Sequence, residues 1–546
     1  MQKKNLATVL LTGALVGSLA ACSGSGSPEP DSTDTAFALT TEVPAPVGDV
    51  DSVTWNIGEG EPDTLDPALS AVERVSTVVG NLCESLTRFE PGAGKPVPNL
   101  AESVTNPDDR TIVVDLRPDA TFWNGNPVTP ADVVYSAERV MDPATGSSWG
   151  DAFNLLESME ITGEHQVTFK LSTPSPLFEW YLATPTFAVL EKAFAEQAGA
   201  QFGTNSGGVM CSGPYQLDKW NAGQSIELSA YPDYWNADRL PKVKKATFTF
   251  NSDAASATAS LLTGATDGQW NLEASGFPQL MTTDDGKLLF GASYSPVFLS
   301  GFASGPAMQF PEVRKALQMM FDRVAIADAV YGGAAAPIRS TVPPATWGYS
   351  QDIYEAWWEE LGEPKYDLDQ ARDLLESVEG DIPPMVIAFD ATSESNTTIA
   401  VALESAAKQV GLPLELRAMQ PAEYYLIFSD DPTVKEGLDG YLVRGYLDFP
   451  EPLTYAMFRM TGHFYNFGGY SNAKYDSLLT EAQSTLDDDK RATLVTEALA
   501  IAAKDAYTVP LVTPFVNVFL NKSLTGVVPT QGFLYNSWLA DLGAVG

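Results

Sequence analysis

Hydrophobic and polar positions along the chain switch repeatedly between a period near two and a period near three and a half. Thr111-Ile112-Val113-Val114-Asp115-Leu116 is a β-branched run closed by Arg117-Pro118, and Asn124-Gly125 marks a tight turn soon after, so a strand is predicted over 111–116. In Thr129-Pro130-Ala131-Asp132 a capping threonine, a proline at the first helical position and an acid three residues on announce a helix, with Val133, Ala137, Val140 and Met141 on one face. From Pro311 onward, Val313, Ala316, Leu317, Met320, Phe321 and Val324 recur at spacings of three and four, which predicts one helix ending near Gly332-Gly333, its methionines in the core. Another helix begins at Asp367 with Gln370 as capping partner and Ala371, Leu374, Leu375 and Val378 as its apolar stripe. Residues 385–389 read as a strand, 396–410 as a helix ended by Gly411, and 414–416 as a strand, which together make a βαβ unit. No fixed-period repeat is visible, which argues against a solenoid or propeller.

The N-terminus follows another logic. Lys3 and Lys4 precede an uncharged, mostly apolar run from Leu6 to Leu19, too short for a membrane span and suited to a secretion signal over residues 1–21. Leu19-Ala20-Ala21-Cys22 then resembles the bacterial lipobox, and the resemblance implies an acylated Cys22 as the new N-terminus. Residues 22–49 are rich in Ser, Gly, Pro, Thr and Asp, with too few apolar side chains to offset chain entropy, so a disordered tether is expected there. No later hydrophobic run is long enough to cross a bilayer, and anchoring rather than spanning is expected.

With 546 residues, 44% hydrophobic and 19% charged, the chain has material for more than one core, and at least two lobes are expected. Lys plus Arg number 32 against 70 Asp plus Glu, a net charge of -38 that would repel phosphate backbones, so nucleic acid is no partner. Once Cys22 is assigned to lipid, Cys83 and Cys211 remain as an even pair in an oxidising compartment, where a disulfide is expected; the alternative is two separate buried thiols.

Seven motifs occur in order behind the lipobox. Glu61-Pro62-Asp63-Thr64-Leu65-Asp66-Pro67 opens the series, and Phe122-Trp123-Asn124-Gly125 through Asp132-Val133-Val134-Tyr135-Ser136 follows. Ser212-Gly213-Pro214-Tyr215, Tyr231-Pro232-Asp233-Tyr234-Trp235 and Val313-Arg314-Lys315-Ala316-Leu317 with Asp322-Arg323 come next. Tyr366-Asp367 with Ala371-Arg372-Asp373-Leu374-Leu375, and Gly469-Tyr470-Ser471-Asn472 with Tyr475-Asp476, complete it. Together they resemble the peptide- and nickel-binding branch of the bacterial extracellular solute-binding proteins, family 5. The resemblance implies an α/β, two-lobed periplasmic-binding-protein-like fold of type II, with an extra subdomain in the first lobe and a hinge that closes on ligand. The first lobe is placed at 50–290, the second at 291–507, with 508–546 returning to the first. It also implies a monomeric, lipid-anchored binding protein on the extracytoplasmic face of the cell membrane, without cofactor, that hands a peptide to ABC permease subunits.

Tyr446-Leu447-Asp448-Phe449-Pro450-Glu451-Pro452 resembles the segment with which oligopeptide-binding relatives hold a ligand's α-ammonium. On that likeness Asp448 is the amine anchor, because a sequestered carboxylate makes a charge-assisted hydrogen bond to an ammonium, and Tyr446 is an aromatic wall beside it. The Gly-Trp that relatives place before the aspartate is replaced by the shorter Arg444-Gly445-Tyr446-Leu447. Dipeptide-specific relatives carry an arginine after the second-lobe strand, and 390–396 contains none, so longer peptides are expected over dipeptides. Ser70, Ala71, Ser212 and Tyr215 fall where family members approach ligand, with a structural turn as the other reading of each. Trp270 is expected in the core.

Other classes find little support. The folded body has no Gly-x-Ser-x-Gly, His-Glu-x-x-His, Gly-x-x-x-x-Gly-Lys-Ser/Thr or Cys-x-x-Cys, and its two histidines, His165 and His463, give hydrolytic dyads little material. Within the family, a metal chelate, haem or an oligosaccharide is the alternative ligand, with His463 the one hint of metal and no metal site assigned. A surface lipoprotein that senses a ligand without feeding a transporter is the remaining alternative.

Overall fold

The computed structural model describes residues 37–90, 94–429 and 432–546; Cys22 and the signal segment lie outside them. Two mixed sheets organise the body. In the first lobe the order is Gly286–Gly291, Val516–Asn521, Gly268–Trp270, Val53–Asn56, Lys245–Thr249, Ser225–Ala230, Tyr215–Asn221. In the second lobe it is Ala335–Pro337, Thr508–Pro514, Val297–Gly301, Gly440–Arg444, Met385–Asp390, Leu414–Met419. A four-stranded antiparallel sheet, Ala101–Asp108, Thr111–Leu116, Gln166–Leu171 and Leu156–Gly163, forms the extra first-lobe subdomain, and its alternation is clean: Ile112, Val114 and Leu116 are buried between half-exposed neighbours.

The βαβ reading holds. Met385–Asp390 pairs in parallel with Leu414–Met419 across the helix Glu394–Val410, which Ser393 caps by accepting from Asn396 N–H at 3.1 Å and Gly411 ends in the left-handed region. The helix Pro130–Met141 starts as expected, with Asp132 accepting from Thr129 N–H at 2.9 Å. The single helix expected from Pro311 is two, Pro311–Met319 and Arg323–Tyr331. Asp322 accepts from Ala325 N–H at 2.9 Å and starts a new helix, while Met320 and Phe321 in the break stay buried, so the apolar spacing outlives the helical geometry. Val324, counted into the stripe, is 62% exposed.

The chain passes between the sheets twice, through residues 292–296 and at Phe515. Thr508–Pro514 still pairs with Val297–Gly301 and Ala335–Pro337, so the return to the first lobe falls at Phe515 rather than at 508. The expected tether also ends early. Phe37 packs edge-on against Phe290 at 4.8 Å, Thr40 N–H donates to Phe290 O at 2.7 Å, and Val47 N–H donates to Ala544 O at 3.0 Å. The reason is local: Gly286–Gly291 is an edge strand whose amide groups and apolar wall give Phe37 and Thr40 something to bind.

Cys83 and Cys211, 128 positions apart in the first lobe, are disulfide-bonded, their Cα atoms 4.9 Å apart. Among the described residues no helix is long and apolar enough to cross a membrane.

Candidate ligand-binding site

The strand Gly440–Arg444 runs antiparallel to Val297–Gly301 and ends at the boundary between the lobes. Gly445 N–H donates to Pro296 O at 2.7 Å, so by the alternation of an antiparallel ladder Arg444 and Tyr446 turn their amide groups to the opposite edge. Met385–Asp390 covers that edge only at Gly440 and Tyr441, and the Leu442 carbonyl is taken by the Tyr424 hydroxyl. Beyond it, among the described residues, no strand covers the edge. Gly445 itself is required by packing, since a Cβ there would collide with the Tyr455 hydroxyl.

The segment after the strand is fixed from both lobes. Gln531, from the C-terminal segment, donates to Leu447 O at 2.9 Å and accepts from Tyr294 N–H at 2.8 Å, tying the site to the first crossing. Phe449 stacks on Trp180 at 5.7 Å and meets Tyr181 edge-on at 5.3 Å, both from the first lobe. Glu451, fully buried, caps the helix Pro452–Met457 by accepting from Thr454 N–H at 3.1 Å, with Arg491 Nε 3.5 Å away and the Arg491 guanidinium 4.1 Å over the Tyr349 ring. Burial holds the Glu451 carboxyl above the usual range, and the Arg491 charge opposes it.

Between these supports Asp448 faces a cavity of about 350 Å³. Its Oδ1 accepts from the Tyr535 hydroxyl at 2.5 Å, and Tyr535 is 2.8 Å from the Tyr446 hydroxyl. No cation pairs with Asp448 among the described residues, and burial pushes its carboxyl up to about 6, against the Tyr535 hydrogen bond. Tyr446 is 42% exposed, and its exposed surface lines the same cavity. The wall is strongly aromatic, with Phe298, Tyr455, Phe458 and Tyr465 among its members, and Arg459 adds a guanidinium. A second, smaller hollow of about 160 Å³ lies at the end of the strand, between Arg444 and the first-lobe residues Glu59, Glu73 and Asn271. Burial first, and then the Glu59 charge, push the Glu73 carboxyl up to about 7.

The family model described as "Bacterial extracellular solute-binding proteins, family 5 Middle" matches residues 95–466. The chain belongs to this family. Family 5 proteins are the solute-binding components of ABC importers, not enzymes. The chain is 26% identical over 454 residues to the glutathione-binding protein GsiB of Escherichia coli (strain K12), covering 81% of this chain and 85% of that protein. It is 25% identical over 516 residues to the oligopeptide-binding protein OppA of Bacillus subtilis (strain 168), covering 88% and 91%. The crystal structure of the ABC transporter substrate-binding protein CtaP from Listeria monocytogenes superposes with a TM-score of 0.80 at 22% identity, over 91% of this chain and all of that one, and so shows the two-lobed family 5 fold.

Of the residues singled out in this family 5 sequence, Asp448 and Tyr446 come together at the cavity. Ala71 is exposed at the start of the helix Glu73–Leu82, away from the Asp448 cavity wall. Ser70, Ser212 and Tyr215 offer a ligand no surface, since all three are fully buried. The Ser70 hydroxyl donates to Pro67 O at 2.8 Å, that of Ser212 to Glu84 at 3.0 Å, and that of Tyr215 to Val243 O and Leu539 O at 3.0 and 3.1 Å. Their motifs build turns and core, which is the structural reading weighed for each. Trp270 is in the core, stacked on Phe533 at 4.0 Å. Sequence reasoning missed Tyr535 and Gln531, which lie more than eighty positions from the residues they bind. The only trace of them is a cluster of aromatic and polar residues in an otherwise motif-free tail.

Proposed function

We propose that this family 5 protein captures peptides by their free amino end and delivers them to a membrane permease, with Asp448 as the amine anchor. The observation that carries the reading is the Asp448 carboxylate itself: set at a cavity, given one hydroxyl donor and, among the described residues, no cation. A charge drawn partly out of water without an ionic partner is costly, and an ammonium placed there makes a charge-assisted hydrogen bond that offsets the cost. The uncovered edge beside it supports an extended ligand. A peptide that adds to a strand edge is held through its main chain and sends alternate side chains to opposite faces. Main-chain capture of this kind favours oligopeptides over dipeptides. Two crossings between lobes support closure over the ligand.

Native mass spectrometry of the gently purified protein, followed by denaturation, tests the substrate class. Co-purified peptides with free amino termini are expected, and a chelate, sugar or haem would overturn the assignment. In the same reading Cys22 carries the lipid that holds the protein at the extracytoplasmic membrane face. Cys22→Ala should then shift the protein from the detergent phase to the soluble fraction, and continued partitioning into detergent would remove the anchor.

A further inference from the structure

Among the described residues, the cavity that presents a carboxylate without an ionic partner also presents a cation without one. Arg459, just beyond the helix Pro452–Met457, is half-buried at the cavity wall. Its Nη2 donates to the Thr341 hydroxyl at 2.6 Å, and its guanidinium lies against the Tyr475 hydroxyl, which itself donates to Ala456 O at 2.5 Å. Among the described residues no carboxylate forms an ion pair with it. The other arginine of the cavity differs: Arg339 is held by Glu359, Glu363 and the Trp358 carbonyl. In a chain with 70 acidic residues to 32 basic ones, a guanidinium that shares a cavity wall with Tyr455 and Phe458 and has no acid partner among the described residues stands out. Arg459 does not neutralise Asp448 either, so one cavity keeps an anion and a cation apart, each short of a partner.

We infer that Arg459 is a carboxylate-binding residue, and that the preferred ligand carries a carboxylate close to its amino end. The inference rests on the peptide-binding reading and narrows its substrate class. Guanidinium presents two parallel N–H groups to a carboxylate, and with donors spent on Thr341 and Tyr475 it still retains N–H groups for one. Asp448 takes the ammonium and Arg459 the carboxylate, so the ligand's two charges fill the two vacancies and bring no net charge into an aromatic enclosure. Three sources of the carboxylate share this chemistry: an acidic side chain on the first residue, the α-carboxylate of a γ-linked glutamyl residue, and the carboxy terminus of a very short peptide.

Isothermal titration calorimetry on the full-length body without its anchor separates them. Glu-Ala-Ala-amide is compared with Gln-Ala-Ala-amide, γ-Glu-Ala-Ala-amide with its γ-glutamyl α-amide, and Ala-Ala with Ala-Ala-amide. At least one acid is expected to bind ten-fold or more tightly than its amide partner. That preference should fall below about three-fold in Arg459→Gln and be partly kept in Arg459→Lys. Equal affinities within every pair for the unaltered protein overturn the inference, with no variant needed. N-acetylation of the tightest ligand tests the amine anchor separately: if it abolishes binding while the acid–amide pairs are equal, Asp448 stands and Arg459 falls. If none of the peptides binds, both readings fall.

Discussion

Two carboxylates, one in each lobe, one buried and one half-buried, have opposite surroundings. Glu84 follows the disulfide cysteine Cys83 in the first lobe, 3% exposed, and accepts from Tyr234 Oη at 2.7 Å, Trp235 Nε1 at 2.9 Å and Ser212 Oγ at 3.0 Å. Asp448 in the second lobe accepts from one hydroxyl and faces a cavity. Burial raises the carboxyl pKa of both. What separates them is saturation: three donors against one, packed core against open space. A buried acid whose lone pairs are filled fixes structure, whereas one left with spare acceptor capacity beside a cavity is waiting for a donor from outside.

The contrast can be broken at several points. The largest effect belongs to a third acid, Glu451, whose partner is Arg491. Arg491→Met should cost about 3–5 kcal/mol of stability by leaving Glu451 uncompensated, read as a fall in the denaturant midpoint. Next comes Glu84→Ala, which strands three donors and should cost about 3 kcal/mol or more, with peptide affinity of the folded fraction unchanged. An affinity loss there would mean that Glu84 is no mere structural acid. Asp448→Asn should do the reverse. Ligand binding should weaken by about 1–3 kcal/mol in calorimetry, while the unliganded protein melts no lower and, at neutral pH, higher. The smallest and most diagnostic effect is on pH. With the Asp448 carboxyl at about 6, affinity should decline as pH falls through 6, approaching ten-fold per unit well below it. The stability sign is opposite: a raised carboxyl pKa destabilises the ionised fold, so unliganded protein loses this penalty as pH falls through about 6. Asp448→Asn should flatten both profiles, and an unchanged profile in the variant would assign the titration to Glu73, an acid of the second hollow, raised to about 7.

Much of this was legible in the sequence because it is local. Caps, turn pairs and apolar spacing placed the helices near 130, 367 and 396 and the strands near 111, 385 and 414. The motif series implied the fold, and the aspartate after the strand near 440 could be found from its neighbours alone. What was hidden is non-local. Tyr535 and Gln531 reach Asp448 and Leu447 only because the chain returns through Phe515, and no spacing rule reports such a contact. Ser212 and Tyr215 misled for the same reason: a motif shows that a segment matters without showing which way its side chains point. The break at Asp322 was masked because buried residues kept helical spacing across a non-helical turn.

The stack of Trp180 on Phe449 carries one more consequence. The indole is 3% exposed, and the ring that covers it belongs to the opposite lobe. Any parting of the lobes would wet that indole and red-shift its emission, giving the molecule a built-in optical gauge. A titration could then be followed in a cuvette without dye or label, and Phe449→Ala would silence the signal while leaving all 11 tryptophans of the chain in place.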